Sequence, residues 1–310
     1  MPLEQGELVA AARAGDESAF GQLAERHRRE LQVHCYRMLG SFSESEDLVQ
    51  ETLLRAWRGL GTFEGRSSFR AWLYRIATNA CLDALSGRPR RLLPYDVVPA
   101  ADPNGPPPEP VEYLALEPFP DRLLNGAAGG EEGDPSETVV AKETIELAFL
   151  AAIQHLSPRQ RAVVILRDVL GWSARDTAQL LDMTEAGVKS MLQRARPVMR
   201  QHLPSQRQDW SPEEDPSIRE RWLLERYMEA HEQDNIDALA EILRDDVRVA
   251  YPQMGLWSDS RESFIVSSRK FAPPGDYRFV PAQANMQPAV AIYLRSPGDA
   301  EFRLTALELL

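Results

Sequence analysis

One stretch of this chain constrains its architecture more than any other: Pro94 to Glu137 holds 10 of the 23 prolines, together with Gly126, Gly129, Gly130 and Gly133. Proline withdraws backbone donors from any helix or sheet ladder. The stretch also carries one Lys or Arg against 10 Asp and Glu, like charges that repel one another. The expectation is an extended, largely disordered acidic linker between two folding units. A shorter break, Pro204 to Pro216, mixes proline and charge in the same way and sets off a third unit. The chain thus reads as a unit at 1–93, a linker at 94–137, a unit at 138–203, a linker at 204–216 and a unit at 217–310, with no internal repeat at a fixed period.

The remaining composition, 43% hydrophobic and 26% charged over 310 residues, is that of a globular protein with more than one core. No run approaches the ~20 consecutive apolar residues of a membrane span, and the opening segment lacks the charged-then-apolar layout of a secretory signal. No membrane partner is expected, and the expected location is cytoplasmic. Cys35 and Cys81 sit in helical patterns without CxxC or Cys/His spacing, which argues against a disulfide framework or a cysteine-based metal site. The net charge of −12 opposes nucleic-acid binding, which needs cations on phosphates. Its distribution does not: the segments 1–93, 94–137, 138–203 and 204–310 carry +1, −9, +3 and −7. Two neutral or basic segments remain as DNA-binding candidates.

Before the first linker every pattern is helical. Leu8, Ala11 and Ala12 begin a short helix, and Asp16 caps a long one over 17–39 that Gly40 stops. Ser43 with Glu46 opens a third to about Leu60, and Ser67 or Ser68 a fourth to about Leu85. Between the linkers, Ser136 caps a helix to about Leu156, and Ser157, Pro158 and Gln160 open another to Leu170. Ser173 with Asp176 caps a short helix ending near Leu181, and Thr184 caps a final, cation-rich one. Two short helices across a tight turn are the helix-turn-helix layout. The third unit is α+β, with helices at 217–233, 235–243 and near 260–271 and extended stretches at 246–251, 277–284, 289–294 and 302–309.

In the third helix Val49, Leu53, Ala56, Trp57 and Leu60 form the apolar stripe, while Asp47, Gln50, Glu51, Leu54 and Arg58 share the opposite face. By itself such a face is a solvated one. In the next segment Phe63, Phe69, Trp72 and Tyr74 are of the kind that stacks on unpaired bases, although spacing favours Trp72, Leu73 and Ile76 as core. Asn79 and Asp83 lie at i and i+4 and are followed by Arg88, Arg90 and Arg91. These groups suit a flipped base and its phosphates, and a capped, solvated helix end has the same pattern.

In the last helix before the second linker Val188, Leu192, Ala195 and Met199 line one face. Lys189, Ser190, Gln193, Arg196 and Arg200 lie away from it and offer the chemistry that reads guanine and adenine edges. Packed helix pairs share this pattern. Pro197 is expected to kink that helix or end its last turn. No GxSxG, Gly-rich phosphate loop, HExxH or clustered metal spacing occurs, and His27, His34, His155, His202 and His231 are scattered. No catalytic residue, cofactor or metal is assigned.

Taken in order, SEDLVQETLLRAWRGL, FxGxSSFRAWLYRIATN, LSPRQRAVVILRDVLGWSARDTAQLL and VKSMLQRAR closely resemble the extracytoplasmic-function sigma factors of bacterial RNA polymerase, over about 8–92 and 138–203. The third unit, through RYMEAHEQDNIDALAEILRDDVRVAYPQMGLW, resembles the SnoaL-like, NTF2-type domain appended to certain actinobacterial members. The resemblance implies all-α sigma regions 2 and 4 followed by an α+β NTF2-like cone domain. It implies that core RNA polymerase is a partner, through its clamp helices and flap, with Asp47, Gln50, Glu51 and Leu54 on the clamp helices. It implies that Asn79, Asp83, Arg88, Arg90 and Arg91 meet the minus-10 promoter element and that Lys189, Ser190, Gln193, Arg194 and Arg196 read the minus-35 element. The linker would pass near the polymerase active centre, and an anti-sigma factor or a small ligand would act at the C-terminal domain. This sequence departs from the family at Asp182-Met183-Thr184, where a glycine is frequent, and at Pro197. Phe302 to Leu309 also reads as a strand running into the chain end, where the related fold adds another element.

On this reading the chain is a transcription initiation factor that makes and breaks no covalent bonds, its third unit regulatory. Two other classes stay open. The third unit is a ligand sensor, or an enzyme of the ketosteroid-isomerase or polyketide-cyclase type with Asp246, Tyr251, Trp257 and Asp259 as the only local candidates. Alternatively the chain is a helix-turn-helix regulator acting without polymerase, with about four phosphate partners and a salt slope near −4.

Overall fold

The computed structural model describes residues 5–65, 67–106, 113–125, 146–203, 218–252, 255–271 and 273–310. The chain forms two compact units, one of 1–90 with 116–208 and the other of 91–115 with 209–310. The first is built of helices: α1 (Gln5–Arg13), α2 (Glu17–Leu39), α3 (Phe42–Gly59), α4 (Phe69–Leu85), the short α5 (Arg122–Asn125), α6 (Leu147–Gln154), α7 (Pro158–Val164), α8 (Ala174–Leu180) and α9 (Glu185–His202). From α7 the chain runs on through Ile165–Val169 with a wider, π-type winding.

Local chemistry sets most of these boundaries. Asp16 accepts from the N–H groups of Ser18 and Ala19, and Gly40, at φ 68°, closes α2. Ser68, Ser173 and Thr184 cap α4, α8 and α9, and Ser157 with Gln160 forms the capping box of α7, with Pro158 in its first turn. The start of α3 differs from expectation. Ser41, not Ser43, caps it by accepting from Glu44 N–H. The Ser43 N–H and hydroxyl both donate to the Glu117 carboxylate, at 3.1 and 2.9 Å. Ser136, expected to begin a helix, lies outside the described residues.

One core runs through both helical segments, from Leu8 of α1 through Leu73 of α4 to Val163 of α7 and Val188 of α9. Arg161 ties them: 2% exposed, it donates to the carbonyls of Met38 in α2 and of Gln154 and Leu156 beside it. The Tyr74 and Trp172 rings meet at 5.4 Å.

The acidic linker is not a free tether where it is described. Leu116 and Phe119, 7% and 1% exposed, pack on the first unit, Phe119 against the rings of Tyr36 at 4.9 Å and Phe42 at 5.3 Å. Tyr36 donates from its hydroxyl to the Glu117 carbonyl at 2.7 Å. Residues 91–115 belong to the second unit. There β1 (Arg91–Leu92) pairs in parallel with β2 (Leu114–Ala115), Trp257 donates through Nε1 to Val98 O at 2.9 Å, and Tyr113 donates to Pro252 O at 2.8 Å. Net charge suggested a tether, but buried apolar side chains and local hydrogen bonds decide the outcome. The rest of the linker, 107–112 and 126–137, lies outside the described residues, as does the break at 204–216.

The second unit is α+β, consistent with an NTF2-like domain: α10 (Ile218–Glu232), α11 (Ile236–Ile242), a hairpin of β3 (Val249–Tyr251) and β4 (Leu256–Ser258), α12 (Arg261–Phe271), and an antiparallel sheet β5 (Asp276–Ala284), β6 (Gln287–Arg295), β7 (Arg303–Leu309) in sequential order. Asn285 and Met286, at φ 56° and 59°, make the two-residue turn from β5 to β6. Tyr227 and Ala230 of α10, Leu239 of α11 and Val290 of β6 form the core between helices and sheet.

Candidate nucleic-acid and protein interface

The helix α3 buries Val49, Thr52, Leu53 and Ala56 and turns Asp47, Gln50 and Leu54 outward. Leu54 is 42% exposed among polar neighbours. Glu51 accepts from Arg55 at 2.7 Å, and Arg55 also lies 3.7 Å from the Asp83 carboxylate of α4. The expected face is thus assembled, with a cation at its border.

On α4 the aromatic residues take structural places. Phe63, Phe69 and Tyr74 are buried, and Phe63, Phe69 and Trp72 pack on one another with centroids 5.1 to 5.9 Å apart. The Tyr74 hydroxyl donates to Glu30, which Arg70 and His27 also hold, so the Glu30 carboxyl sits below its ordinary range despite partial burial. Asn79 and Asp83 stand exposed at the end of the helix, followed by exposed Arg88 and Arg90, Arg88 lying 3.3 Å from Glu44. Arg91 does not join them. It is 9% exposed, and its Nη1 donates to Ala115 O at 2.6 Å within the second unit.

The α8–α9 pair is a helix-turn-helix. Asp182 adopts φ 50° in the turn, a left-handed conformation that Asp tolerates and that explains why glycine is dispensable there. Val188, Leu192, Ala195 and Met199 face inward, while Lys189, Ser190, Gln193, Arg194, Arg196 and Arg200 are exposed. Pro197 does not end α9, which continues to His202. Arg196 is held by Asp168 through two parallel bonds, at 3.1 and 2.8 Å. Asp168, which holds Arg196, was not singled out in the sequence reading, where it is one acid near the end of a helix.

In the second unit the named acids fall on the surface. Asp246 is fully exposed and bound by Arg244 at 2.9 Å, which keeps its carboxyl below the ordinary range. Asp259 is exposed, and Trp257 is engaged with the linker backbone. Of the four, Tyr251 alone has its hydroxyl raised well above the ordinary phenol range, first by burial and then by Glu308. Glu308, the acid of β7, went unassigned in the sequence reading.

Comparison with known proteins adds the following. Residues 23–91 match the family described as Sigma-70 region 2, and residues 146–196 match Sigma-70, region 4. The chain is 43% identical over 310 residues to the ECF RNA polymerase sigma factor SigG of Mycobacterium tuberculosis, covering 98% of this chain and 80% of that protein. It is 33% identical over 190 residues to SigM, another ECF RNA polymerase sigma factor of that organism, covering 61% of this chain and 80% of the relative. The crystal structure of the M. tuberculosis extracytoplasmic function sigma factor SigJ covers 92% of this chain and 88% of its own, with a TM-score of 0.54 at 20% identity, a likeness of fold. Among the described residues no helix is long and apolar enough to cross a membrane.

Proposed function

The chain belongs to the extracytoplasmic-function sigma factors of RNA polymerase, and from that premise we propose how its surfaces divide the work of promoter recognition and opening. Asp47, Gln50, Glu51 and Leu54 of α3 dock on the clamp helices of core polymerase, the exposed leucine giving contact area and the acids complementarity to a basic partner. Lys189, Ser190, Gln193, Arg194 and Arg196 address the minus-35 element. Gln193 and Arg194 read base edges, and Arg196, held by Asp168, meets a phosphate. Asn79 and Asp83 take unpaired minus-10 bases, with Arg88 and Arg90 on the backbone beside them. Arg91 is left out of that set. The chain itself makes and breaks no bond, acts in the cytoplasm, and is regulated through its C-terminal unit by an anti-sigma factor or a ligand.

The observation that carries this reading is the joint exposure of the α3 face and the α9 face, each on a helix whose other side is buried in the core. In vitro transcription with core polymerase across a promoter library tests it. The full chain directs initiation from one two-element motif, Asp47→Lys with Glu51→Lys weakens core binding about tenfold or more, and Gln193→Ala relaxes preference at one minus-35 position. A chain that binds duplex DNA tightly without polymerase and never initiates overturns the reading in favour of a stand-alone regulator.

A further inference from the structure

Two histidines that lie far apart in the sequence meet in the first unit. His155 closes α6 as its C-terminal cap, its N–H donating to Ala152 O at 3.2 Å, and His202 is the last residue of α9. Their imidazole rings stack with centroids 3.6 Å apart and planes 10° from parallel. A ring nitrogen of one lies within 4.8 Å of a ring nitrogen of the other. His155 is half-buried and His202 exposed, and promoter recognition as divided above uses neither. The backbone behind both rings is pinned. Arg161 donates to Gln154 O at 3.3 Å and to Leu156 O at 3.4 Å, on either side of His155. Met199, 7% exposed, anchors the last turn of α9, and its carbonyl receives Leu203 N–H at 2.9 Å.

Stacking alone asks for two flat rings and no nitrogen, so Phe or Tyr would serve it as well. What imidazole adds is a donor suited to zinc, nickel and copper, which it binds at about 2.0–2.1 Å in the case of zinc. Two such nitrogens on one tetrahedral ion lie about 3.3 Å apart. The pair reaches that spacing by a side-chain shift of about 1.5 Å at most, within the range of a small torsional adjustment. Both rings also stand at helix C-terminal ends, where the aligned peptide dipoles favour positive charge. Because the backbone at each ring is already fixed, little ordering remains to be done on binding.

We propose that His155 and His202 form a binding site for a divalent transition-metal ion of the zinc class, held through one ring nitrogen of each. Two nitrogens leave the remaining positions of a four-coordinate ion open to water or another donor. The bound ion fastens the end of α9, the helix that carries Lys189 to Arg200, to the end of α6. The two residues stand too far apart in the sequence for any short metal-binding motif to register, and only the packing of α6 against α9 unites them. The site is independent of the promoter reading, and its test needs no polymerase.

The test uses the full chain, stripped of metal by a chelator and titrated with zinc chloride by calorimetry. The expected result is one saturable zinc site per chain that excess Mg²⁺ does not displace, since Mg²⁺ prefers oxygen ligands. His155→Phe and His202→Phe each keep a ring for the stack and remove its nitrogens. Each is expected to weaken zinc about tenfold or more, at least as much as the loss of a group that merely orients a metal ligand. Should His155→Phe unfold by circular dichroism, His202→Gln, at an exposed helix end, carries the same expectation. Absence of a saturable zinc site on the folded wild-type chain, displacement of zinc by Mg²⁺, or folded variants that hold zinc as tightly as wild type overturns the site.

Discussion

Arg161 keeps its charge in the interior of the first unit. Burial lowers its pKa only to about 10, and three backbone carbonyls receive its guanidinium. Arg161→Met is a near match in length but offers those carbonyls nothing, so urea unfolding of the variant is expected to show a loss of about 2–4 kcal/mol. His34 makes the complementary case. Burial first, then the nearby Arg37, lower its pKa to about 3, so the folded chain holds it neutral with Nε2 at 2.9 Å from Thr78 Oγ1. The unfolded chain, titrating near 6.5, binds the proton more readily between those values. Stability therefore rises with pH across that window and is lost as pH falls below about 6.5, at ~1.4 kcal/mol per unit. Unfolding measured at pH 7 and pH 5 is expected to differ by about 2 kcal/mol from this group, and His34→Gln is expected to remove that share of the difference.

At the scale of elements, the recognition helix shows what local rules do and do not settle. Pro197 is exposed, and α9 passes through it to His202 because Val188, Leu192, Ala195 and Met199 anchor the inner face on both sides of the lost N–H. Pro197→Ala restores that bond and is expected to raise thermal stability by about 1–3 kcal/mol while leaving minus-35 binding intact. A loss of stability would mean that the ring is packing rather than only being tolerated. The helix starts at Asp16, Ser157, Ser173 and Thr184 were legible in the sequence because a cap acts within its own first turn. The start of α3 was not, because the Ser43 side chain is occupied by Glu117, far along the chain. The strand β4 escaped notice as well: Leu256 to Ser258 is too short for alternation to register, and its pairing with β3 is what defines it.

For the whole molecule, the two promoter elements set a length that the packed first unit does not have. Their centres lie ~25 base pairs apart, about 85 Å of B-form DNA, whereas a compact unit of about 180 residues has a radius of gyration near 16 Å. On the proposed division of surfaces, the core shared by α2, α4 and α7 parts before α4 and α9 serve both elements. Spin labels at exposed Arg58 and Arg200 are expected to move apart by about 30 Å or more when core polymerase and promoter are added. An unchanged distance in an initiating complex would count against simultaneous use of both surfaces. Helical periodicity located both segments but carried no sign of this shared core, because Arg161 meets Met38 across the intervening linker. The same limit hid Glu308, whose partners Tyr227 and Tyr251 come from distant elements. The alternation of 1–90, 91–115, 116–208 and 209–310 between the two units also sets an order in time. During synthesis, residues 91–115 emerge more than a hundred residues ahead of the strands they join, a wait on the order of ten seconds at 5–20 residues per second. Leu116 to Asp121, by contrast, find α2 and α3 already made. The nascent chain is thus obliged to fasten one end of its linker while the other still has nothing to hold, and that interval is when chaperones have their opening.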